Sequence, residues 1–561
     1  MKKNRGGVQN LNLKQSPLNL FWGIIRSESG LVGVIFTYEL GVGILSLTIP
    51  IGVQTVVNTL AFAQLTQPLV FLALAVLLGQ FASIVIKATQ ILILEKLQKR
   101  LFANTGMEVA YRIPRMLRES RSEISELINR FFDIVTIQKN VSFLMIEGFS
   151  LGLQILVGLT LLAFYHPMLL AFDVLLVLAI LFVLFGLGRG AVNSSIDESY
   201  EKYEFVNWLE QIAGKNIAFS SKGGRHLALE RADSIIQEYL VKRDTHFRIV
   251  FRQIIGFLSI HALANTTLLI LGVLLVANNQ LTIGQLVAAE IVVSTVLYSF
   301  TRFQKHLDNY YDLIAAVEKV GTLLGRPLEI GGQVEQRNLL HGDFEFVNVK
   351  YKLKICKRLL GPLTFKLGRG ERIAICGSNG SGKSAVIDLF YAFQQPFSGY
   401  LKYSGYDLRD ITPEILRQKI VLVRKIEIIK GTVLENIRFG NSSIEIGEIN
   451  KILDDLGLLS DILALPQGIN TELSEDGGPL SVSQAKRLML ARSIACRPNV
   501  LLIDEFIDSL DHFQMEKILN YLFDTRHDWS VVMATKKSNL GDYYSKVIDL
   551  DQIEEGKSYV F

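Results

Sequence analysis

Cysteine is nearly absent from this sequence. The three present, Cys356, Cys376 and Cys496, lie far apart in the second half without metal-ligand spacing. That excludes a zinc site or disulfide framework and fits a reduced cytosolic domain with small buried thiols. Net charge is scarce too: a formal +4 over 561 residues is too little to argue for a nucleic-acid partner. A signal peptide is also missing, because the basic start Met1-Lys2-Lys3-Asn4-Arg5 is followed by an apolar segment that begins only near Leu31 and is too long for one. That segment is expected to stay in the mature protein. Lys and Arg are absent from three short connections, around Asn58–Pro68, His166–Pro167 and Asn278–Gln280.

Apolar residues are what the sequence has in excess: 49% of the chain is hydrophobic and the mean hydropathy is +0.31. The excess sits in the first half, while the second half has the composition of an ordinary α/β domain. Six segments are apolar for the roughly 20 residues a bilayer span requires: Val34–Val57, Leu69–Ala88, Val141–Tyr165, Met168–Leu187, Ile254–Asn278 and Leu281–Thr301. The long connections are rich in cations, Lys96 through Lys139 in one and Arg189 through Arg252 in the other. The positive-inside rule therefore places both termini and both long connections in the cytoplasm. Their mixed charge and helical pattern predict helices that continue past the bilayer as stalks, with Ile124–Phe132 and Glu198–Trp208 as candidate cross-helices; amphipathic surface helices are the alternative. Glu39, Glu147, Asp173, His261 and Glu290 fall inside apolar spans, where charge is costly and marks a candidate substrate path. The competing account is that a neighbouring helix satisfies each of them, or that Asp173 and Lys87 lie near an interface.

In the second half, the run Gly377-Ser378-Asn379-Gly380-Ser381-Gly382-Lys383-Ser384 lies between a strand-like Ile373–Cys376 and a helix-like Ala385–Phe393. Strand, glycine loop and helix in that order make a phosphate-binding loop. The glycines let backbone N–H groups wrap a polyphosphate at a helix N-terminus, Lys383 reaches the terminal phosphates, and Ser384 takes Mg²⁺. Val500–Glu505 reads as a buried strand ending in two carboxylates, where Asp504 would hold Mg²⁺ and Glu505 would polarise the attacking water. ATP and Mg²⁺ are the expected cofactors, and hydrolysis is chemically open.

Six spans followed by these motifs resemble an ATP-binding-cassette exporter half-transporter. Supporting text is found in Leu416–Ile420, Gly431–Ile437, Leu490–Ser493 and the loop Asp508-Ser509-Leu510-Asp511, which resembles the family's dimer contact. Leu281–Gly284 and Asn129–Asp133 are similar to the branch of type I secretion and bacteriocin exporters, without the N-terminal peptidase domain of some relatives, since no Cys precedes Cys356. The resemblance implies an α-helical membrane domain with long cytoplasmic extensions, followed by an α/β nucleotide-binding domain. The expected divisions are 1–20 as a cytoplasmic tail, 21–310 as the membrane domain, 311–337 as a linker and 338–561 as the cassette. It implies residence in a cytoplasmic (inner) membrane and a partner half that is the same chain or a related one. A membrane-fusion adaptor is a further candidate partner.

The departures from the family are as informative as the matches. The signature Leu-Ser-Gly-Gly-Gln is Leu480-Ser481-Val482-Ser483-Gln484, in which Ser481 and Gln484 are kept as nucleotide contacts but Val482 puts a branched side chain where backbone should approach the γ-phosphate. Lys425 aligns with the family's metal-linked glutamine, and Lys536 with its switch histidine. Lys536 is still expected at the catalytic centre as a charge near phosphate. The adenine-stacking aromatic aligns with Leu353, which makes Tyr351 the nearest candidate ring. Loss of one preorganised contact typically costs about 10²–10³ in rate, so the expectation is Mg-ATP binding with slow turnover. Two rivals stand beside the exporter: a hydrolysis-poor regulatory half of a heterodimer, and a membrane-tethered ATPase without a transport role.

Overall fold

A backbone crossing lipid must satisfy its own hydrogen bonds, so apolar runs of this length resolve into helices. The computed structural model describes residues 23, 26, 28–61, 67–116, 129–305, 307–329, 332, 334, 342–352, 359–508, 510–536, 543–552 and 559–560. It divides into two units, Met1–Leu328 and Glu329–Phe561.

The first unit is helical: α1 (Ser29–Ser46), α2 (Thr48–Ala61), α3 (Gln67–Arg112), α4 (Asp133–Phe143), α5 (Phe149–Tyr165), α6 (Pro167–Leu181), α7 (Ala191–Gly214), α8 (Asn216–Phe219), α9 (Lys222–Ala277), α10 (Ile283–Lys305) and α11 (Leu307–Leu324). Among the described residues, five helical stretches are long and apolar enough to cross a membrane, and Ile283–Tyr298 is a shorter apolar helix. The expected Val34–Val57 span comes in two pieces that break at Leu47, just before Pro50, which has no N–H to give a preceding turn. At 46 and 56 residues, α3 and α9 are roughly 70 and 84 Å long, more than twice a bilayer's hydrocarbon thickness. Both are long enough to continue past a bilayer, which is what the charged connections lead one to expect.

One expected cross-helix is misplaced. Glu198–Trp208 lies inside the continuous helix α7, and the turn is made instead by α8. Trp208 fixes that turn: its indole N–H donates to the Ala228 carbonyl at 3.1 Å and its ring meets Phe219 edge-on at 5.6 Å. The amphipathic pattern of Glu198–Trp208 reports packing against α9, not a change of direction. Of Ile124–Phe132, residues 124–128 lie outside the described residues, and Arg130–Phe132 form a single 3₁₀ turn.

A π-helical stretch, Phe182–Leu187, continues α6, and its wider turn frees carbonyls that α9 then satisfies. Gln253 donates to Leu184 O at 3.2 Å and Arg252 Nε to Leu187 O at 3.1 Å, while the Tyr311 hydroxyl donates to Gln253 Oε1 at 3.1 Å. That last bond ties α11 into the first unit, where Leu313, Ile314, Val317 and Val320 are buried. The expected linker from residue 311 therefore begins too early: α11 is a packed helix, and the division between units falls at 328/329.

The second unit is α/β. A five-stranded sheet has the order β12-β2-β1-β4-β5, from β1 (Phe344–Lys352), β2 (Leu359–Leu367), β4 (Ser398–Tyr403), β5 (Tyr406–Asp407) and β12 (Tyr559–Val560). A parallel sheet has the order β11-β3-β10-β9-β6, from β3 (Arg372–Cys376), β6 (Ile420–Val423), β9 (Val500–Asp504), β10 (Ser530–Ala534) and β11 (Lys546–Asp549). The central strands β9 and β10 are buried at every residue, as parallel strands covered on both faces must be. Helix α12 (Lys383–Phe390) follows β3 and buries Phe390 among Phe344, Phe346 and Phe365. Two further strands, β7 (Gly431–Thr432) and β8 (Glu472–Leu473), pair beside a helical region that includes α13 (Val433–Arg438), α14 (Ile446–Asp455), α15 (Leu459–Leu463), α16 (Val482–Ala495) and α17 (His512–Leu522). Cys376 is buried as expected, Cys496 is exposed, and Cys356 lies outside the described residues.

Candidate functional site

Parallel strands present their carboxyl ends on one edge, and here four adjacent strands end in the candidate residues. The loop Gly377–Gly382 follows β3, Lys536 lies two residues after β10, Asp504 ends β9 with Glu505 after it, and Arg424 follows β6. Pairing of Ala534 with Asp504 and of Val423 with Ile503 fixes which side chains emerge together.

The phosphate loop has the backbone its glycines were read for. Gly377 sits at φ +148°, where an added Cβ would come within 2.6 Å of Ser381 Oγ, and Gly382 at φ +103° turns the chain into α12. Lys383 is buried along its stem, and its ammonium donates to Gly377 O at 2.8 Å and Ser378 O at 3.0 Å, folding back across the loop. Asp551 clasps the loop's entry, accepting from the Ser378 N–H at 2.6 Å and its hydroxyl at 2.8 Å. Asn379 and Gly380 are exposed and Ser381 is buried.

Glu505 is held between two ammonium groups. Lys383 Nζ lies 3.1 Å from Oε1 and Lys536 Nζ 3.4 Å from Oε2. Its backbone is in the left-handed region at φ +50°, kept there by an N–H to Ala534 O bond of 2.9 Å, a strained setting of the kind that aims a functional side chain. Asp508 accepts from Thr535 Oγ1 at 3.0 Å and from the Lys536 N–H at 3.2 Å, tying the loop after β9 to the residue after β10. Lys383, Glu505 and Lys536 are therefore brought together.

Ser384 Oγ donates to Asp504 Oδ1 at 3.1 Å. A hydroxyl and a carboxylate oxygen beside a phosphate loop are a hard, oxygen-only donor pair of the kind Mg²⁺ takes, so these residues fit the ion. The second oxygen of Asp504 is engaged by a residue that the sequence reading passed over. Arg424 Nε donates to Asp504 Oδ2 at 2.6 Å, and Arg424 Nη2 donates to Asp388 Oδ1 at 2.7 Å and Ser384 O at 3.2 Å. Burial raises the Asp504 carboxyl above the usual carboxylate range, and the Arg424 guanidinium opposes that shift. Lys425, aligned with the metal-linked glutamine, points elsewhere: it is exposed and pairs with Glu427 at 3.0 Å. Arg424 reaches the site through the pairing of Val423 with Ile503, which residues 420–425 do not record by themselves.

Two other candidates stand apart from the centre. Tyr351 is wholly buried in β1, packed into the core of the unit, so it offers no open ring to a purine; this corrects the expectation that it stacks on adenine. Inward and outward residues alternate along a strand, and Tyr351 lies on the inward face. Leu353 lies outside the described residues. Ser481 and Gln484 form a capping box at the start of α16: the Gln484 side chain accepts from the Ser481 N–H at 2.8 Å, and Ser481 Oγ accepts from the Gln484 N–H at 3.3 Å. Among the described residues, no hydrogen bond or ion pair joins them to the chain's own phosphate loop, and Val482 is 68% exposed.

In the first unit the candidate ionisable residues are distributed differently. Glu39 is buried and accepts from Gln90 at 2.8 Å. Asp173 is buried with neither oxygen hydrogen-bonded among the described residues. His261 lines a small cavity with Ile180, Phe257 and Leu297, and Glu147 and Glu290 are partly buried.

Comparison with known proteins agrees with this geometry. Residues 360–508 match the family described as ABC transporter. The transport/processing ATP-binding protein ComA of Streptococcus pneumoniae is 24% identical over 559 residues, covering 96% of this chain and 76% of that protein. The alpha-hemolysin translocation ATP-binding protein HlyB of Escherichia coli O157:H7 is 26% identical, covering 50% of this chain and 40% of that protein. The solved structure of a bacterial Atm1-family ABC exporter with ATP bound superposes with a TM-score of 0.80 at 19% identity, covering 95% of both chains. Residues 360–508 therefore match an ABC transporter domain, and the chain as a whole has the fold of that exporter structure, a helical unit with long apolar helices followed by an α/β unit.

Proposed function

We propose that this chain is one half of an ATP-driven exporter, which binds nucleotide through an intact phosphate loop and hydrolyses it slowly. The observation that carries the reading is the convergence of Lys383, Ser384, Asp504 and Glu505 on one sheet edge. Lys383 would leave Glu505 for the β- and γ-phosphates, and the freed Glu505 carboxylate would orient a water. Lys536 would stay close enough to share the phosphate charge. Ser384 and Asp504 would hold Mg²⁺, which supplies charge neutralisation on the phosphates when bound.

A working unit is a dimer, because the signature helix α16 does not engage its own loop and needs a second cassette to close upon. With itself the chain would form two sites, each bearing Val482 and Lys536. With a related half, one site would keep every group except the signature glycines. The regulatory-half reading gains no support beside exporter relatives that match the whole chain. The membrane domain is proposed to span six times with both termini cytoplasmic, supported by loop charge and by helices that outrun a bilayer. Single-cysteine labelling from outside in a background without Cys356, Cys376 and Cys496 should reach Asn278→Cys and not Lys99→Cys; labelling of the latter contradicts six spans. ATPase measurement on the purified chain, alone and with any co-purifying homologue, tests the function. Slow hydrolysis that stops with Glu505→Gln is expected, and hydrolysis indifferent to that change overturns it.

A further inference from the structure

Arg424 is placed as no surface arginine needs to be. Its Nε and Nη2 make three hydrogen bonds, to Asp504 Oδ2, Asp388 Oδ1 and Ser384 O, at 2.6, 2.7 and 3.2 Å. Two of those acceptors belong to the two residues that would hold Mg²⁺. Only 24% of the side chain is exposed, and among the described residues the Nη1 edge makes no hydrogen bond. A planar guanidinium is always charged and suits both carboxylates and phosphate oxygens. A cation already seated on Asp504 does two things: it repels a divalent ion at close range in a partly desolvated site, and it supplies positive charge where the metal would.

We propose that Arg424 is a resident cation at the metal side of the nucleotide site, so that ATP binding depends little on Mg²⁺. The inference rests on the ATP-binding reading above and adds a specificity-determining residue to it. The geometry also adds to the sequence departures as a cause of the slow turnover in that reading. Asp504 is shared between two cations, and the free edge of Arg424 neutralises phosphate without the preorganised oxygen shell that a metal brings. The site would hold nucleotide in the ground state at little cost to affinity and with less stabilisation as charge develops.

The test is titration of the purified full-length chain in lipid nanodiscs with a fluorescent ATP analogue, once with millimolar Mg²⁺ and once with excess EDTA. Wild type should lose less than about threefold in affinity on chelation. Arg424→Gln should lose about tenfold or more with EDTA and recover with Mg²⁺, and Mn²⁺ added with nucleotide should bind this variant more tightly than wild type by electron paramagnetic resonance. Arg424→Lys, which keeps the charge without the fork, should fall between them and serves if the glutamine variant does not fold. A tenfold or greater loss in wild type on chelation overturns the proposal, and so does chelation-insensitive binding in both Arg424 variants. No binding under either condition would instead overturn the ATP-binding reading, and this proposal with it.

Discussion

In the proposed reading, Lys383 and Ser384, which open α12 after the loop that follows β3, and Asp504 at the end of β9 are the groups that contact phosphate and metal before any bond changes, while Glu505, the next residue, acts on water. Strands β6 and β10 of the same sheet end in Arg424 and Lys536, cations where the family resemblance leads one to expect a glutamine region and a histidine. The result is an edge with two carboxylates and three cations, in which each carboxylate is already engaged: Glu505 by Lys383 and Lys536, Asp504 by Arg424. In the proposed reading the phosphate loop that recognises ATP in the ground state is intact, whereas groups that act on water and on developing charge are altered or occupied.

The comparison is most sharply broken by exchanging single groups between those roles. Glu505→Gln should lower single-turnover phosphate release by about 10²-fold or more, on the scale of a lost transition-state contact, while the nucleotide Kd moves by less than about threefold. Lys383→Ala should do the reverse to affinity, weakening it by about tenfold or more in a fluorescent-nucleotide titration, since a charge-assisted phosphate contact is lost. Equal loss of binding in both variants would erase the division. A smaller effect on the same assays separates packing from recognition. Tyr351→Ala should destabilise the cassette by about 3–5 kcal/mol in thermal or denaturant unfolding, as large-to-small core changes do. Tyr351→Phe should leave nucleotide affinity within about twofold; a larger loss would return the ring to the site. The smallest effect belongs to Lys425→Gln. Lys425 is exposed and pairs with Glu427, and among the described residues it makes no hydrogen bond or ion pair with Asp504 or Glu505, so hydrolysis should change by less than about twofold.

Residues 377–384 and 500–505 disclosed their site in sequence because their chemistry is local: a strand, a glycine turn and a helix N-terminus are contiguous. The apolar runs disclosed the helices for the same reason, each needing only its own length. What was illegible depends on pairing between distant strands. Arg424 stands at the site because Val423 pairs with Ile503 across the sheet, a register that nothing in residues 420–425 records. The inward face of Tyr351 likewise follows from the pairing of β1 with β2 and β4, and the true turn at Asn216–Phe219 from Trp208 reaching across to Ala228.

The central claim is that altered accessory groups, and not the phosphate loop, limit this chain. Its most direct measurement is steady-state ATPase of the purified chain with Val482→Gly, Ser483→Gly, Lys425→Gln and Lys536→His introduced together, beside wild type. The account predicts a kcat at least about tenfold higher, a cautious floor for regaining one preorganised contact, with nucleotide affinity little changed. An unchanged kcat in a folded, nucleotide-binding protein would contradict it.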